Sequence, residues 1–577
     1  MTVGRRIFEG RQMAYIVFWA TMALFLLFVF IKGALDARKN RRLFVQKLYN
    51  DYGKAPDRQY KVERFLRIGS YFKRHRSKGQ IDDITWNDLN MDEIFKRMNY
   101  TLSSTGEEYL YYTLRTPQFQ REALEHQEEI VRFFEKHPDE RVSVMMLMKK
   151  LGNCGKYSLY DYLDYLDQLG KRSNLRQLLL DLALIPIVAF CFYQTSVGLL
   201  ALAVLLIYNI TNYFVEKKKI EPYITSFAYV MRLLEVSNEL VRIPIPECKE
   251  EWSVIKACTR SLSKVKMGSG WVLISSFGGM GSTGGNPLEI IMDYLNMMFH
   301  IDIMIFNKML DELKMHIKDV DMLVSKIGML ETAICIDAYR ASINDNWCIP
   351  LFLNESTCKI RIEEMYHPLI DDPVKNSIQA TKGVLITGSN ASGKSTFLKT
   401  TALNAILAQT IFTCLADRYE ANFFNVYSSM ALRDNIEGGE SYYIVEIKAL
   451  KRILDASTGA GHVLCFVDEV LRGTNTVERI AASTQILKSL TGKQILCFAA
   501  THDIELTELL KDDYDNYHFE EEIMDGDIFF PYKLMNGKAV TRNAIKLLEL
   551  IGYDKLIIDE AIKQANLFMI TGEWMKR

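Results

Sequence analysis

The residues with the clearest chemistry lie close together in the C-terminal third of the chain. Gly388, Ser389, Asn390, Ala391, Ser392, Gly393, Lys394 and Ser395 have the G-x-x-x-x-G-K-S spacing of a phosphate loop. A β-rich run, Gly383 to Thr387, leads into it, and a helix is expected over Thr396 to Leu407. The glycines let backbone N–H groups close around phosphate oxygens, Lys394 reaches the terminal phosphates, and the Ser395 hydroxyl is placed for Mg²⁺. With ordinary amino-acid frequencies the pattern arises by accident roughly 0.02 times in a chain of this length. Residues Gly388 to Thr396 are therefore read as nucleotide-binding.

A second strand, His462 to Val467, ends in Asp468-Glu469. Asp468 is expected to hold Mg²⁺ through water, and Glu469 to orient or deprotonate the attacking water. A third strand, Gln494 to Ala500, runs into Thr501-His502, which places an imidazole at the carboxyl edge of the sheet, where ligands sit in open α/β folds. His502 reads as a γ-phosphate sensor, so Glu469, His502 and Lys394 form the expected catalytic group. Between the phosphate loop and Asp468 lies Asn435-Ile436-Glu437-Gly438-Gly439-Glu440-Ser441, a small-residue turn before a helix. Taken alone it is an ordinary helix cap. Beside the other motifs it is an anion site, of the kind that ATPases sandwiching nucleotide between subunits use to offer a serine to the partner's γ-phosphate.

Elements of several kinds must position these residues. Ala14 to Ile31 is an uncharged apolar run, long enough for a helix to cross most of a hydrocarbon layer, and reads as a signal anchor. Leu178 to Phe214 is apolar again and is split by Gln194-Thr195-Ser196, which predicts a transmembrane hairpin; a buried helical hairpin in a soluble protein, helped by Asp181, Asn209 and Asn212, is the alternative. Lys171, Arg172 and Arg176 precede the hairpin and Lys217 to Lys219 follow it, placing both ends on the cytoplasmic side. Trp86 to about Lys150 and Ile220 to Ser263 read as amphipathic helices, and Gly268 to Gly285 as a loop. Met309, Leu313, Ile317, Val320, Val324 and Ile327 recur at three- and four-residue steps, the seam of a long lever helix. Ile290 to Phe306 imitates a further span, but Asp293, His300 and Asp302 are costly in lipid.

Composition sets outer limits. With 577 residues, three or four structural units are expected. Lys plus Arg number 70 against 71 Asp plus Glu, so no global basic field draws the molecule onto nucleic acid. The ten cysteines form no C-x-x-C pair and read as reduced, mostly buried thiols. Lys73, Arg74, His75, Arg76 and Lys78 make a basic stretch open to three readings: a solvated face, a lipid contact or a phosphate-backbone contact.

Taken together, TGSNASGKSTFLKT, DNIEGGESYYIVE, VDEVLRGTNT and ATHDIEL resemble the ATPase domain of the MutS mismatch-repair family, in that family's order. Tyr366-His367-Pro368-Leu369 looks like the segment just before that domain. Trp86 to about Phe134, including LSSTGEEYLYYTLRTP, is similar to the start of its helical core. The resemblance implies Asn390, Lys394 and Ser395 for nucleotide and Mg²⁺, Asp468 and Glu469 for hydrolysis, His502 for γ-phosphate, and Ser441 acting in trans in a homodimer. Thr474, Asn475 and Thr476 match its dimer-contacting loop, where Leu471 replaces the usual glycine. No G-x-F-Y-E-like wedge precedes the helical core, so mismatch specificity is not expected.

The expected architecture is an α/β P-loop NTPase domain of ABC-ATPase type at 346–577, preceded by an all-α core and lever domain with transmembrane helices. Its parts are an anchor at 1–35, a basic juxtamembrane region at 36–85, helical core at 86–177, the hairpin at 178–214 and the lever at 215–345. The expected function is a multi-pass cell-membrane ATPase with a cytoplasmic catalytic domain, using ATP and Mg²⁺ to move helical levers against an unknown protein partner or DNA. Two alternatives are a DNA mismatch repair protein and a component of an ATP-driven transporter.

Overall fold

The computed structural model describes residues 21, 24, 28, 31–33, 35–155, 157–165, 172–266, 294–344, 346–389, 391–430, 442–459, 461–471, 474–524, 527–538, 545, 548, 551–571 and 574. Most of the expected anchor at 14–31, the Gly-rich loop at 268–285, and the turn at 435–441 lie outside the described residues.

The N-terminal part is helical, and its short polar motifs act as caps and buried clamps. Asp82 caps α1 (Asp83–Asp88), accepting from the Thr85 amide at 2.8 Å. After α2 (Met91–Met98), Ser103 caps α3 (Ser104–Arg115) by accepting from the Gly106 amide at 2.9 Å. The long helices α4 (Arg121–Lys136) and α5 (Pro138–Leu151) follow. Within the LSSTGEE stretch each polar residue has a fixed partner. Glu107, buried, accepts from Arg67 and Asn99 at 2.9 Å each and pairs with Arg64. Glu331, on the lever helix, accepts from the Leu102 and Ser103 amides and the Ser103 hydroxyl. The two helices meet at glycines: a Cβ on Gly106 would collide with the Glu331 carboxylate, and one on Gly328 with the Tyr109 ring stem.

The apolar hairpin forms as two helices, α6 (Leu175–Tyr193) and α7 (Thr195–Leu240), turning at Gln194. Gly198 sits so close to Cys191 that a Cβ there would overlap its backbone. The expected border at 214 falls inside α7, which continues unbroken into the helical core. The Lys217-Lys218-Lys219 flank ends the apolar stretch but not the helix, because lysine is a good helix former. The next helix, α8 (Lys249–Ser261), packs on the lever.

The lever seam is two helices, α9 (Ile301–Met315) and α10 (Ile317–Ser342), broken at His316. Met309, Leu313, Val320, Val324 and Ile327 are buried as the periodicity requires. His300 and Asp302 are buried too, and the base of the hairpin supplies their partners. His300 Nδ1 lies 3.0 Å from Asp181 and its Nε2 3.3 Å from Asn212, while Asp302 accepts from Tyr213 at 2.9 Å with Lys217 nearby.

The C-terminal part is mixed α/β. A six-stranded sheet comprises β4 (Gly383–Thr387), β6 (Phe424–Ser429), β7 (His462–Asp468), β8 (Ile495–Ala500), β9 (Tyr514–His518) and β10 (Met535–Asn536). Their order is β10-β9-β4-β8-β7-β6. All neighbours are parallel except β10, which is antiparallel to β9. The central strands β4, β7 and β8 are buried almost throughout, which explains their continuous apolar runs. A smaller sheet, β1 (Leu351–Phe352), β5 (Arg418–Ala421), β2 (Ile360–Met365) and β3 (Asn376–Ala380), adjoins it. Three long helices complete the layers: α11 (Lys394–Ile411), α12 (Tyr442–Ser457) and α13 (Thr476–Ser489). A last helix, α14 (Lys555–Thr571), follows.

The two parts are bolted together. Asp88 accepts from the Ser428 hydroxyl at 2.7 Å and the Met430 amide at 2.9 Å, while Arg452 on α12 pairs with Asp82 and donates to the Ser428 carbonyl. One apolar core runs from the helical part onto one face of the large sheet, and a second, smaller core fills the other face.

Candidate nucleotide site

The 388–395 loop joins the central strand β4 to α11 and needs backbone freedom at its two glycines. Gly388 (φ +147°) and Gly393 (φ +109°) lie where L side chains are strained, and a Cβ on Gly388 would overlap the Phe519 carbonyl oxygen. Ala391 also has positive φ, at 63°. Ser392 donates to the Ser389 carbonyl at 2.9 Å, and Ser389 to Glu521 at 2.6 Å. Lys394, whose side chain is buried, donates to the carbonyls of Gly388 (2.8 Å) and Ser389 (2.7 Å). Ser395 and Thr396 are exposed toward the cleft. Asn390 lies outside the described residues, as does Ser441.

The strand-end residues converge on this loop. Glu469 has φ 56° and donates its amide to Ala500 O at 2.9 Å, which turns the chain at the end of β7. His502 Nε2 lies 2.9 Å from Glu469 Oε1 and 3.5 Å from Lys394 Nζ, so the three expected catalytic side chains form one cluster. Asp468 is buried at the end of β7 beside them. Arg479 forks onto Asp503 at 2.9 and 2.6 Å, anchoring the segment after His502 to α13. Asn475 caps that helix by accepting from the Val477 amide at 3.0 Å.

Leu471 has a physical explanation where the sequence alone had none. Its φ is 58°, the left-handed region a glycine adopts freely, and it is buried while its amide donates to the Glu446 carboxylate. A non-glycine residue there costs about 1–2 kcal/mol, which burial of the leucine side chain and that hydrogen bond offset. Glu446 thereby joins α12 to the turn after Asp468-Glu469.

A cleft of about 700 Å³ opens over the loop, lined by Lys394, Ser395, Glu469 and His502 on one side and by Tyr366, His367, Val374, Phe519 and Tyr532 on the other. The second group escaped the sequence reading as site residues. Only Tyr366 and His367 had been singled out, as part of a familiar segment. Burial pushes His367 down to about 4, with the Lys399 charge acting in the same direction, so its ring is neutral at neutral pH. In the basic stretch Lys73, Arg74, Arg76 and Lys78 are exposed. His75 lies 3.0 Å from Asp321, Arg76 pairs with Asp83 at 2.9 Å on the surface, and Arg74 lies over the Tyr160 ring.

A glycine-rich turn feeding a helix N-terminus, a lysine at its first turn, and an acid and an imidazole from the neighbouring strand ends make an α/β domain suited to a polyphosphate. Comparison with known proteins agrees. Residues 384–569 match the profile described as MutS domain V. The chain is 31% identical over 208 residues to the DNA mismatch repair protein MutS of Thermus thermophilus, covering 35% of this chain and 25% of that protein. The MutS of Thermus aquaticus matches at the same identity and coverage. The likeness is to MutS domain V, over the C-terminal third of the chain. The chain spans about a quarter of the length of the curated relatives it matches.

Proposed function

We propose that this protein is a membrane-anchored, P-loop ATPase of the MutS kind, which hydrolyses ATP at a site shared between two copies and uses the cycle to move its helical levers. The observation that carries the reading is the cluster of Lys394, His502 and Glu469 around one glycine-rich loop. In this reading the loop of Gly388 to Thr396 cradles the phosphates, and Lys394 swings from the loop carbonyls to the terminal phosphates. Glu469 takes the proton of the attacking water or orients it, held in place by His502, while Ser441 of one copy contacts the nucleotide of the other.

Ser395 and Asp468 are hard oxygen donors at the loop and strand end, the donor set that Mg²⁺ takes together with substrate phosphates. When bound there, the ion supplies charge neutralisation at the phosphates.

Support for a membrane comes from the hairpin. Its two apolar helices expose Leu182, Ile185, Phe192, Leu200 and Ile207 to the surroundings, and both are long and apolar enough to cross a membrane. At its base Asn209 donates to the Met298 carbonyl and His300 lies between Asp181 and Asn212, which suits a boundary between lipid and cytoplasm at that level. The relatives carry the name DNA mismatch repair protein, and a DNA-related role is part of this proposal, without mismatch specificity.

The test is ATP binding and Mg²⁺-dependent phosphate release by the detergent-purified full chain, with Glu469→Gln as the trapped form. Binding retained by the variant with turnover lost supports the reading; a wild type that neither binds nor hydrolyses ATP overturns it.

A further inference from the structure

Two cysteines from distant parts of the chain meet at the seam between the lever helix and the α/β domain. Cys348 lies just beyond the end of α10, and Cys414 just beyond the end of α11, the helix that starts at the phosphate loop. They form an isolated antiparallel bridge in which each backbone amide donates to the other's carbonyl, both at 2.9 Å. Such a reciprocal pair holds its Cα atoms about 5.5 Å apart, and disulfides span roughly 4.4–6.8 Å between Cα atoms. Opposed residues in an antiparallel pair send their side chains to the same face, which places the two thiols side by side. Cys348 is partly exposed, whereas Cys414 is fully buried and its thiol also reaches the Asn404 carbonyl at 3.8 Å.

We propose that Cys348 and Cys414 are a thiol–disulfide exchange site, closed by a low-molecular-weight disulfide such as oxidised glutathione. The Cys348 thiolate attacks one sulfur of the small disulfide, whose S–S bond breaks, and the departing thiolate takes up the proton that Cys348 gave away. The Cys414 sulfur then attacks the Cys348 sulfur, the mixed disulfide breaks, and the second small thiolate takes up the Cys414 proton. Two protein thiols are oxidised and one small disulfide is reduced to two thiols. The neighbouring Cys414 thiol holds the Cys348 thiol below its usual range, which suits the attacking role. In a reducing compartment the bond forms only transiently, under oxidative load.

Closing this bond fastens the chain leaving the lever helix to the far end of the phosphate-loop helix. That end is already gripped by Arg340, which donates to the Phe412 carbonyl at 3.1 Å and to Thr413 Oγ1 at 2.9 Å and stacks on Trp347. A second thiol pair supplies an internal control. Cys465 and Cys497 are register partners on β7 and β8, both fully buried in the smaller core on one face of the sheet, so a small disulfide has no route to either.

The test uses the full chain, purified under reduction in detergent, incubated with oxidised glutathione, alkylated and mapped by mass spectrometry without reduction. The expected result is a linked pair of peptides containing Cys348 and Cys414 in most molecules, with Cys465 and Cys497 alkylated only after unfolding. Cys414→Ser is expected to stop at a glutathione adduct on Cys348. A wild type in which Cys348 carries only that adduct, or in which both thiols are alkylated as readily as before oxidation, overturns the proposal. Because the readout is covalent, it does not depend on the ATPase reading.

Discussion

His502 Nε2 lies 2.9 Å from Glu469 Oε1, so the imidazole at the end of one strand fixes the carboxylate at the end of its neighbour. The two residues are far apart in sequence and adjacent in space because β7 and β8 are paired in parallel register, with Asp468 opposite Ala500. The same imidazole reaches toward Lys394, linking the three groups through one ring.

If this cluster performs hydrolysis, Glu469→Gln is expected to lower steady-state phosphate release by about 10²–10⁴-fold, the range for removing a general base. Nucleotide affinity, read by fluorescent-analogue titration, should change little. His502→Ala should give a smaller loss, since it removes the group that orients Glu469 rather than the base itself. Equal losses in the two variants, or a large loss of affinity in Glu469→Gln, would contradict these roles.

The α3–α10 crossing is set by glycines. Gly106→Ala pushes a methyl into the Glu331 carboxylate, and Gly328→Ala does the same to Tyr109. Each should destabilise the fold by about 1–3 kcal/mol, the usual cost of overpacking. A lowered denaturation midpoint in both variants is the expected outcome; an unchanged midpoint would mean that the helices part more easily than their packing indicates.

Burial pushes Glu108 up to about 8, even though the Ser158 hydroxyl donates to it at 2.7 Å. The folded chain thus holds this proton more tightly than the unfolded one, whose carboxyl titrates near 4.5. The stability it contributes is fully present below about 4.5 and is lost as pH rises toward 8. Glu108→Gln cannot ionise, so its melting temperature should fall less than that of the wild type between pH 6 and pH 9. Parallel melting curves across that range would refute the assignment.

Asp88 joins the helical part to the last described turn before residues 431–441. Removing its carboxylate in Asp88→Ala leaves the buried Ser428 hydroxyl and the Met430 amide without their acceptor, at a cost of about 1–3 kcal/mol for each group left unsatisfied. Hydrogen exchange should rise selectively in β6 and α1; a uniform rise would mean that the junction is not local.

How much of this was legible beforehand follows from the range of the forces involved. The strands Gly383 to Thr387 and His462 to Asp468, the phosphate loop and its helix are written locally, in apolar runs and glycine spacing; the strands sit within a residue of where they were expected, while the helix runs on to Ile411, four residues beyond its expected end. The lever seam was legible as periodicity, though not its break at His316. Phe519 and Tyr532, which line the cleft, and Glu446 and Glu521, which hold Leu471 and Ser389, arrive through tertiary contacts and carry no local signal. In the basic stretch the pairing of Arg76 with Asp83, seven residues on, is local, whereas the contact of His75 with Asp321 is tertiary and left no local signal. Leu471 looked like a departure and is instead a leucine held in a glycine's backbone conformation.

The most direct measurement mixes two inactive variants. Lys394→Ala lacks its own cradle and Ser441→Ala lacks the group offered to its neighbour, so each alone should be nearly silent. A mixed dimer contains one intact site out of two, and random pairing of equal amounts should restore about a quarter of wild-type turnover. Recovery near that level supports a shared nucleotide face; a mixture no more active than its two components contradicts it.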